Sequence, residues 1–118
     1  MSLKKNQDFH KVYKHGKSFA NRLLVMYVLE NNLNKNRVGI SVSKKVGNSI
    51  IRHRLTRLIR ESYRLNEQLF LNGLDMVVIA RPGAKGKSYK DIEKAFLHLG
   101  KIHHITGLNN ENNIDQVD

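Results

Sequence analysis

The chain reads as a single α/β domain folded as a two-layer sandwich, with elements in the order α-β-β-β-α-β-α. Three observations predict it. The apolar period alternates along the chain between helical (3–15, 48–69, 88 onward) and extended (23–30, 37–43, 75–80). The long helical segment lies between two short apolar runs, which makes a βαβ unit whose strands are parallel neighbours in one sheet. With 118 residues, 40% apolar and 26% charged, the chain has the length and composition of one globular domain.

Residues 3–15 form the first helix because Phe9, Val12 and Tyr13 recur at i, i+3, i+4, and Gly16 stops it. LLVMYVLE (23–30) is short and β-branched enough for a strand, followed by the turn cluster NNLNKN. RVGISVS (37–43) alternates, with Val38, Ile40 and Val42 on one face, and is expected to pair with 23–30 as a hairpin. A further segment before the long helix reads as strand or loop. From Asn48 to about Leu69 the period is helical: Ile51, Leu55, Leu58, Ile59, Ser62 and Leu65 project within about 120° of arc, and Gly47-Asn48-Ser49 supplies an N-cap. Asn72-Gly73 breaks the chain, and DMVVIA (75–80) lacks alternation, as a strand covered on both faces does. Ser88 with Asp91 makes a capping box, and Ile92, Ala95, Phe96 and Leu99 form the buried stripe of the last helix. The domain is expected to span 1–105, with an acidic, Asn-rich disordered tail at 106–118.

Cysteine is absent, which removes disulfides, thiolate catalysis and sulfur-ligated zinc. No stretch of 18 apolar residues occurs, and the N-terminal segment MSLKKNQDFHK has no hydrophobic run behind its charges, so the expectation is a soluble cytoplasmic protein. Twenty-one Lys and Arg against ten Asp and Glu give a net charge of +11, which points to a polyanionic partner. Seven of those basic residues, Lys44, Lys45, Arg52, Arg54, Arg57, Arg60 and Arg64, fall between 44 and 64 beside one acid, Glu61. On the helical wheel His53, Arg57, Arg60 and Arg64 lie within about 60° of one another, opposite the apolar stripe, and Arg52 and Arg54 flank the first turn. A solvated face normally mixes signs at i, i+4, whereas this one is nearly uniform and is built of arginine, whose planar fork grips phosphate oxygens. Upstream, Ser43-Lys44-Lys45-Val46-Gly47-Asn48 joins a strand to a helix N-terminus, a setting that suits phosphate without the spacing of a nucleotide-hydrolysing loop.

No catalytic residue and no metal site stands out. The acids are scattered over different elements, and the doublet His103-His104 lacks a third ligand and reads as surface. A ribosomal or DNA-binding protein would use the same basic helix. A membrane-surface helix would need its apolar face free, and a protein-only nuclease would need a carboxylate cluster.

The stretch GISVSKKVGNSIIRHRLTRLIRESYR resembles the signature of the bacterial ribonuclease P protein subunit, through Lys44-Lys45, Gly47, Arg52, Arg54, Arg57, Ile59 and Arg60-Glu61. Asp8-Phe9, Tyr13, Gly16, Tyr27 and Ile79-Ala80-Arg81 extend the resemblance over roughly residues 1 to 100. The sequence departs from the family's Arg-Asn-Arg core at His53, and Thr56 replaces the usual lysine. The resemblance implies a ribosomal-protein-like sandwich whose βαβ crossover is left-handed, although handedness rules alone give a right-handed one. It implies a protein subunit that assists removal of the 5′ leader from precursor tRNA, with catalysis by the RNA subunit and its bound Mg²⁺. It implies no DNA partner and no membrane. Lys44, Lys45, Asn48, Arg52, His53, Arg54, Arg57, Arg60 and Arg64 would bind the RNA subunit. Phe9, Tyr13 and Tyr27, beside Lys17 and Arg22, would hold the single-stranded leader by sequence-tolerant stacking.

Overall fold

The computed structural model describes residues 2–107. It comprises α1 (Asn6–His15), β1 (Lys17–Ala20), β2 (Leu24–Glu30), β3 (Arg37–Ser41), α2 (Ser49–Leu65), β4 (Leu74–Ala80) and α3 (Tyr89–Ile102), with short 3₁₀ turns at Glu67–Leu69 and Pro82–Ala84. The element order α-β-β-β-α-β-α is the expected one. Its extra strand is β1, an exposed edge strand directly after α1, while residues 44–46 before α2 form a turn.

The four strands lie in the order β1-β2-β4-β3, with β3 and β4 parallel and the other neighbours antiparallel. The expected hairpin between 23–30 and 37–43 is therefore not formed, because β4 lies between those strands. It pairs with β2 from Leu24↔Ala80 to Glu30↔Leu74 and with β3 from Arg37↔Asp75 to Ser41↔Ile79. Burial decides this. Met76, Val77 and Val78 have no exposed surface, and a strand apolar on both faces reaches that state only at the sheet centre. Asn36, itself buried, fixes the β3–β4 register: its side-chain oxygen accepts from the Leu74 N–H at 2.9 Å, and its amide donates to the Leu71 carbonyl at 2.7 Å and the Tyr63 hydroxyl at 3.2 Å.

Alternation along the strands divides the core. Leu24, Met26, Val38, Met76 and Val78 face α2 and α3, where Leu55, Ile59, Tyr63, Phe70, Ile92, Phe96 and Leu99 complete the larger cluster. Val77 faces the other way, with Val12 of α1, Leu3 and the half-buried Phe9, Tyr13, Tyr27, Leu29 and Ile79. Helix α1 thus covers part of the face that α2 and α3 leave open.

Boundaries move where tertiary contacts override local pattern. The first helix begins at Asn6 rather than 3, because Leu3 is buried and donates its N–H to the Val38 carbonyl at 3.0 Å, while Ser2 bridges Val38 in parallel. Helix α2 ends at Leu65 rather than 69, and Leu65 is exposed while Tyr63 takes its expected place in the core. Tyr63 packs 5.5 Å from Phe70 and 6.4 Å from Phe96, centroid to centroid. The Ser88–Asp91 capping box forms as expected. At the C-terminal side Thr106 is fully buried and bridges Phe70, so it belongs to the folded part rather than to the tail expected from 106; residues 108–118 of that tail lie outside the described residues.

Candidate nucleic-acid interface

Helix α2 begins where the Asn48 side chain accepts from the Ile51 N–H at 3.0 Å, so the oxygen of this expected RNA contact serves as a cap. Lys44 and Lys45 are exposed on the preceding turn, which Val46 anchors in the core. His53, Arg57, Arg60 and Arg64 are exposed along the helix, opposite the buried Leu55, Ile59 and Ser62, as the wheel predicts.

The arginines differ in what they touch. Arg52, half-buried, donates to the Gly47 carbonyl at 2.9 Å and ties the turn to the helix. Arg54 donates to the Lys87 carbonyl at 2.9 Å, linking α2 to the segment before α3. Arg64 grips Glu61 through two hydrogen bonds of 2.7 and 2.8 Å, which neutralises the C-terminal end of the row. Arg60 donates to the Ser2 hydroxyl at 3.0 Å and has no acid partner among the described residues. His53, Arg57, Lys44 and Lys45 have no side-chain partner among the described residues. The free cations therefore run from the turn 44–46 to Arg60.

The open face of the sheet carries the aromatic strip. Phe9 and Tyr13 meet edge to face with centroids 6.3 Å apart, and Tyr13 meets Tyr27 at 5.0 Å. Burial pushes the Tyr13 phenol up, partly opposed by the Ser41 hydroxyl. Gly39 seats this strip: a Cβ there would stand 2.5 Å from the Phe9 ring. A glycine inside an otherwise alternating strand is the signal that could have shown the close approach. Below the strip, Arg37 donates to both Asp75 oxygens at 2.8 and 2.6 Å, and Asn31 donates to Asp75 at 2.9 Å. Burial alone would raise the Asp75 carboxyl, but the Arg37 fork and the Asn31 amide outweigh it and hold it below the usual carboxylate range.

Two residues expected beside the rings lie elsewhere. Lys17 pairs with Val28, whose side chain belongs to the α2/α3 face, so Lys17 shares that face rather than the one bearing Tyr27. Arg22 lines a depression against α3 with Lys94 and His98. In each case a strand's two-residue period or a turn separates residues that are close in sequence. His103, expected at the surface, is half-buried: its Nε2 donates to the Met26 carbonyl at 2.9 Å and its ring meets Phe19 at 4.8 Å, and burial pushes its pKa down. Among the described residues no three His, Asp or Glu side chains converge on a point that could hold a metal ion, and no helix is long and apolar enough to cross a membrane.

A four-stranded α+β sandwich with a one-sided cationic helix on one layer and an aromatic strip on the other defines a small basic protein of the ribonucleoprotein kind. Residues 1–103 match the family model described as Ribonuclease P. The chain is 62% identical over 104 residues to the ribonuclease P protein component of Lachnoclostridium phytofermentans, covering 88% of this chain and 90% of that one. It is 56% identical over 100 residues to the same component of Clostridioides difficile, covering 84% and 88%. Its fold superposes on the Staphylococcus aureus RNase P protein with a TM-score of 0.83 at 39% identity, covering 90% of this chain and 97% of that one. The Thermotoga maritima RNase P protein gives 0.78 at 30%, covering 84% and 94%. The chain belongs to the ribonuclease P protein family, and its role lies in tRNA processing.

Proposed function

We propose that this chain binds the catalytic RNA of ribonuclease P through α2 and the turn 44–46, and that it holds the single-stranded 5′ leader of precursor tRNA on the aromatic strip. The observation that carries the reading is the row Lys44, Lys45, Arg57 and Arg60, whose charges no acid neutralises among the described residues, with the exposed His53 standing between them, whereas Arg37 and Arg64 are paired. A rigid row of unpaired cations on a capped helix meets a phosphate backbone with little ordering cost. On the other face, Tyr13 and Tyr27 are half-buried, so each ring is fixed by its neighbours while part of it stays accessible for a base to stack on. Hydrolysis belongs, in this reading, to the RNA subunit and its bound Mg²⁺, and the protein contributes affinity and substrate choice in the bacterial cytoplasm.

Reconstitution tests it: the protein is mixed with bacterial ribonuclease P RNA and precursor tRNA at low Mg²⁺, where cleavage should be rescued. Arg57→Ala with Arg60→Ala should weaken binding to the RNA subunit and lower the log-log salt slope by about 0.7 to 0.9 per contact. Tyr27→Ala should instead reduce the preference for precursor over mature tRNA, by on the order of 1 to 3 kcal/mol for one stacked base. Unchanged slope and affinity for the arginine pair would place the RNA elsewhere, and equal loss for the two substrates would return Tyr27 to a packing role.

A further inference from the structure

Helix α3 carries a second row of cations. Lys90, Lys94 and Lys101 are exposed, and at 100° per residue they fall within about 40° of arc, opposite the buried Ile92, Ala95, Phe96 and Leu99; His98 stands on the same face, its Nδ1 accepting from the Asn21 amide at 3.1 Å. The row is about 16 Å long. Lys87 stands just before the helix, and Arg22 approaches from the turn before β2, so that with Lys94 and His98 they border one depression.

The acids nearby are engaged. Glu61 is held by Arg64, Asp91 caps the Ser88 N–H, and Glu93 accepts from the Asn66 amide at 2.9 Å and the Tyr89 hydroxyl at 3.0 Å. No lysine takes part in an ion pair among the described residues. Lys90 has Lys94 as its i+4 neighbour, an order that sets like charges together and weakens a helix unless a polyanion covers it. Lysines act here as flexible point charges, which suit the backbone of a duplex better than the edges of splayed bases.

We propose that this α3 row is a second docking surface for the RNA subunit, taking the phosphate backbone of a duplex segment next to the one that α2 holds. Helices α2 and α3 pack side by side on one face of the sheet, and Arg54 of α2 fixes their N-terminal ends through the Lys87 carbonyl. Both rows point away from the sheet while the aromatic strip occupies its other face. One RNA lying over the helical layer reaches both rows, and a leader on the strip reaches neither. The inference rests on the reading of α2 as the RNA-subunit contact.

The test is the variant Lys90→Gln/Lys94→Gln/Lys101→Gln in the full chain, titrated with ribonuclease P RNA across salt concentrations and compared with Arg57→Ala/Arg60→Ala. Its log-log slope should fall by about 2 to 3, and in the combined variant the losses should add. Affinity for mature tRNA should be unchanged, and the corresponding Lys→Arg triple should restore the slope. Circular dichroism and the unfolding midpoint check the fold, and Lys94→Gln alone, expected to lower the slope by about 0.7 to 0.9, serves if the triple is unstable. An unchanged slope in the α3 variant with a lowered one in the α2 variant overturns the α3 surface and leaves the α2 reading standing. No change in either overturns both. A loss confined to tRNA shows that substrate, not the RNA subunit, occupies α3, and likewise overturns the proposal.

Discussion

Gly39→Ala should damage the aromatic strip from beneath. Gly39 is buried in β3, and an added Cβ would stand 2.5 Å from Phe9 Cζ, 3.0 Å from its Cε2 and 3.1 Å from Leu3 Cβ. Ordinary carbon contacts are about 3.5–4.0 Å, so the ring must retreat by about 1 Å. It cannot do so freely. Tyr13 stands beside it on α1, Tyr13 in turn abuts Tyr27, and Leu3 is fixed by its hydrogen bond to Val38. Overpacking of this kind costs about 1–3 kcal/mol, which for a domain of this size lowers Tm by about 4 to 12 °C. Phe9→Leu removes the obstructing atoms, so the double variant should be more stable than the two single losses predict, with a coupling of about 1 kcal/mol or more. Urea unfolding of the four proteins measures this. The displaced rings should also lower the preference for precursor over mature tRNA, with binding to the RNA subunit unchanged because α2 lies across the sheet. A Gly39→Ala protein within about 0.5 kcal/mol of wild type, or strict additivity with Phe9→Leu, would refute the argument.

Asp75→Asn should cost about 2 to 3 kcal/mol at neutral pH by leaving the Arg37 fork short of its anion. Because the folded carboxyl is held below its usual range, its contribution is complete above the unfolded value and is lost as pH falls through the lower folded one. Wild type should therefore lose stability below about pH 4 more steeply than the variant, and parallel acid-unfolding curves would count against the ion pair. Asn36→Ala should cost about 2 to 4 kcal/mol, since the Leu74 N–H and the Leu71 carbonyl lose a buried partner. Hydrogen exchange should show earlier opening at the start of β4, and unaltered protection there would mean that water replaces the side chain.

Local chemistry determined a large share of this protein. The period of 49–65, the cap at Asn48, the Ser88–Asp91 box and the unbroken apolar run of β4 are properties of residues a few positions apart, and they gave the element order, the parallel βαβ pair and the cationic face of α2. The one-sided charge pointed to a polyanion because charge needs no folding to be counted. Partnership is a different matter. That β4 separates β2 from β3 follows from competition among strands for the most buried position, which no single segment encodes. That Arg52 and Arg54 bind backbone and Arg64 binds Glu61, leaving Arg57 and His53 without a partner among the described residues, depends on groups up to 33 residues away. Lys17 and Arg22 left the aromatic strip because the pleat of β1 and the turn before β2 aim adjacent side chains at opposite faces. Residue identity set which groups were available, and tertiary packing, by consuming some of them in internal hydrogen bonds, decided which were left facing solvent.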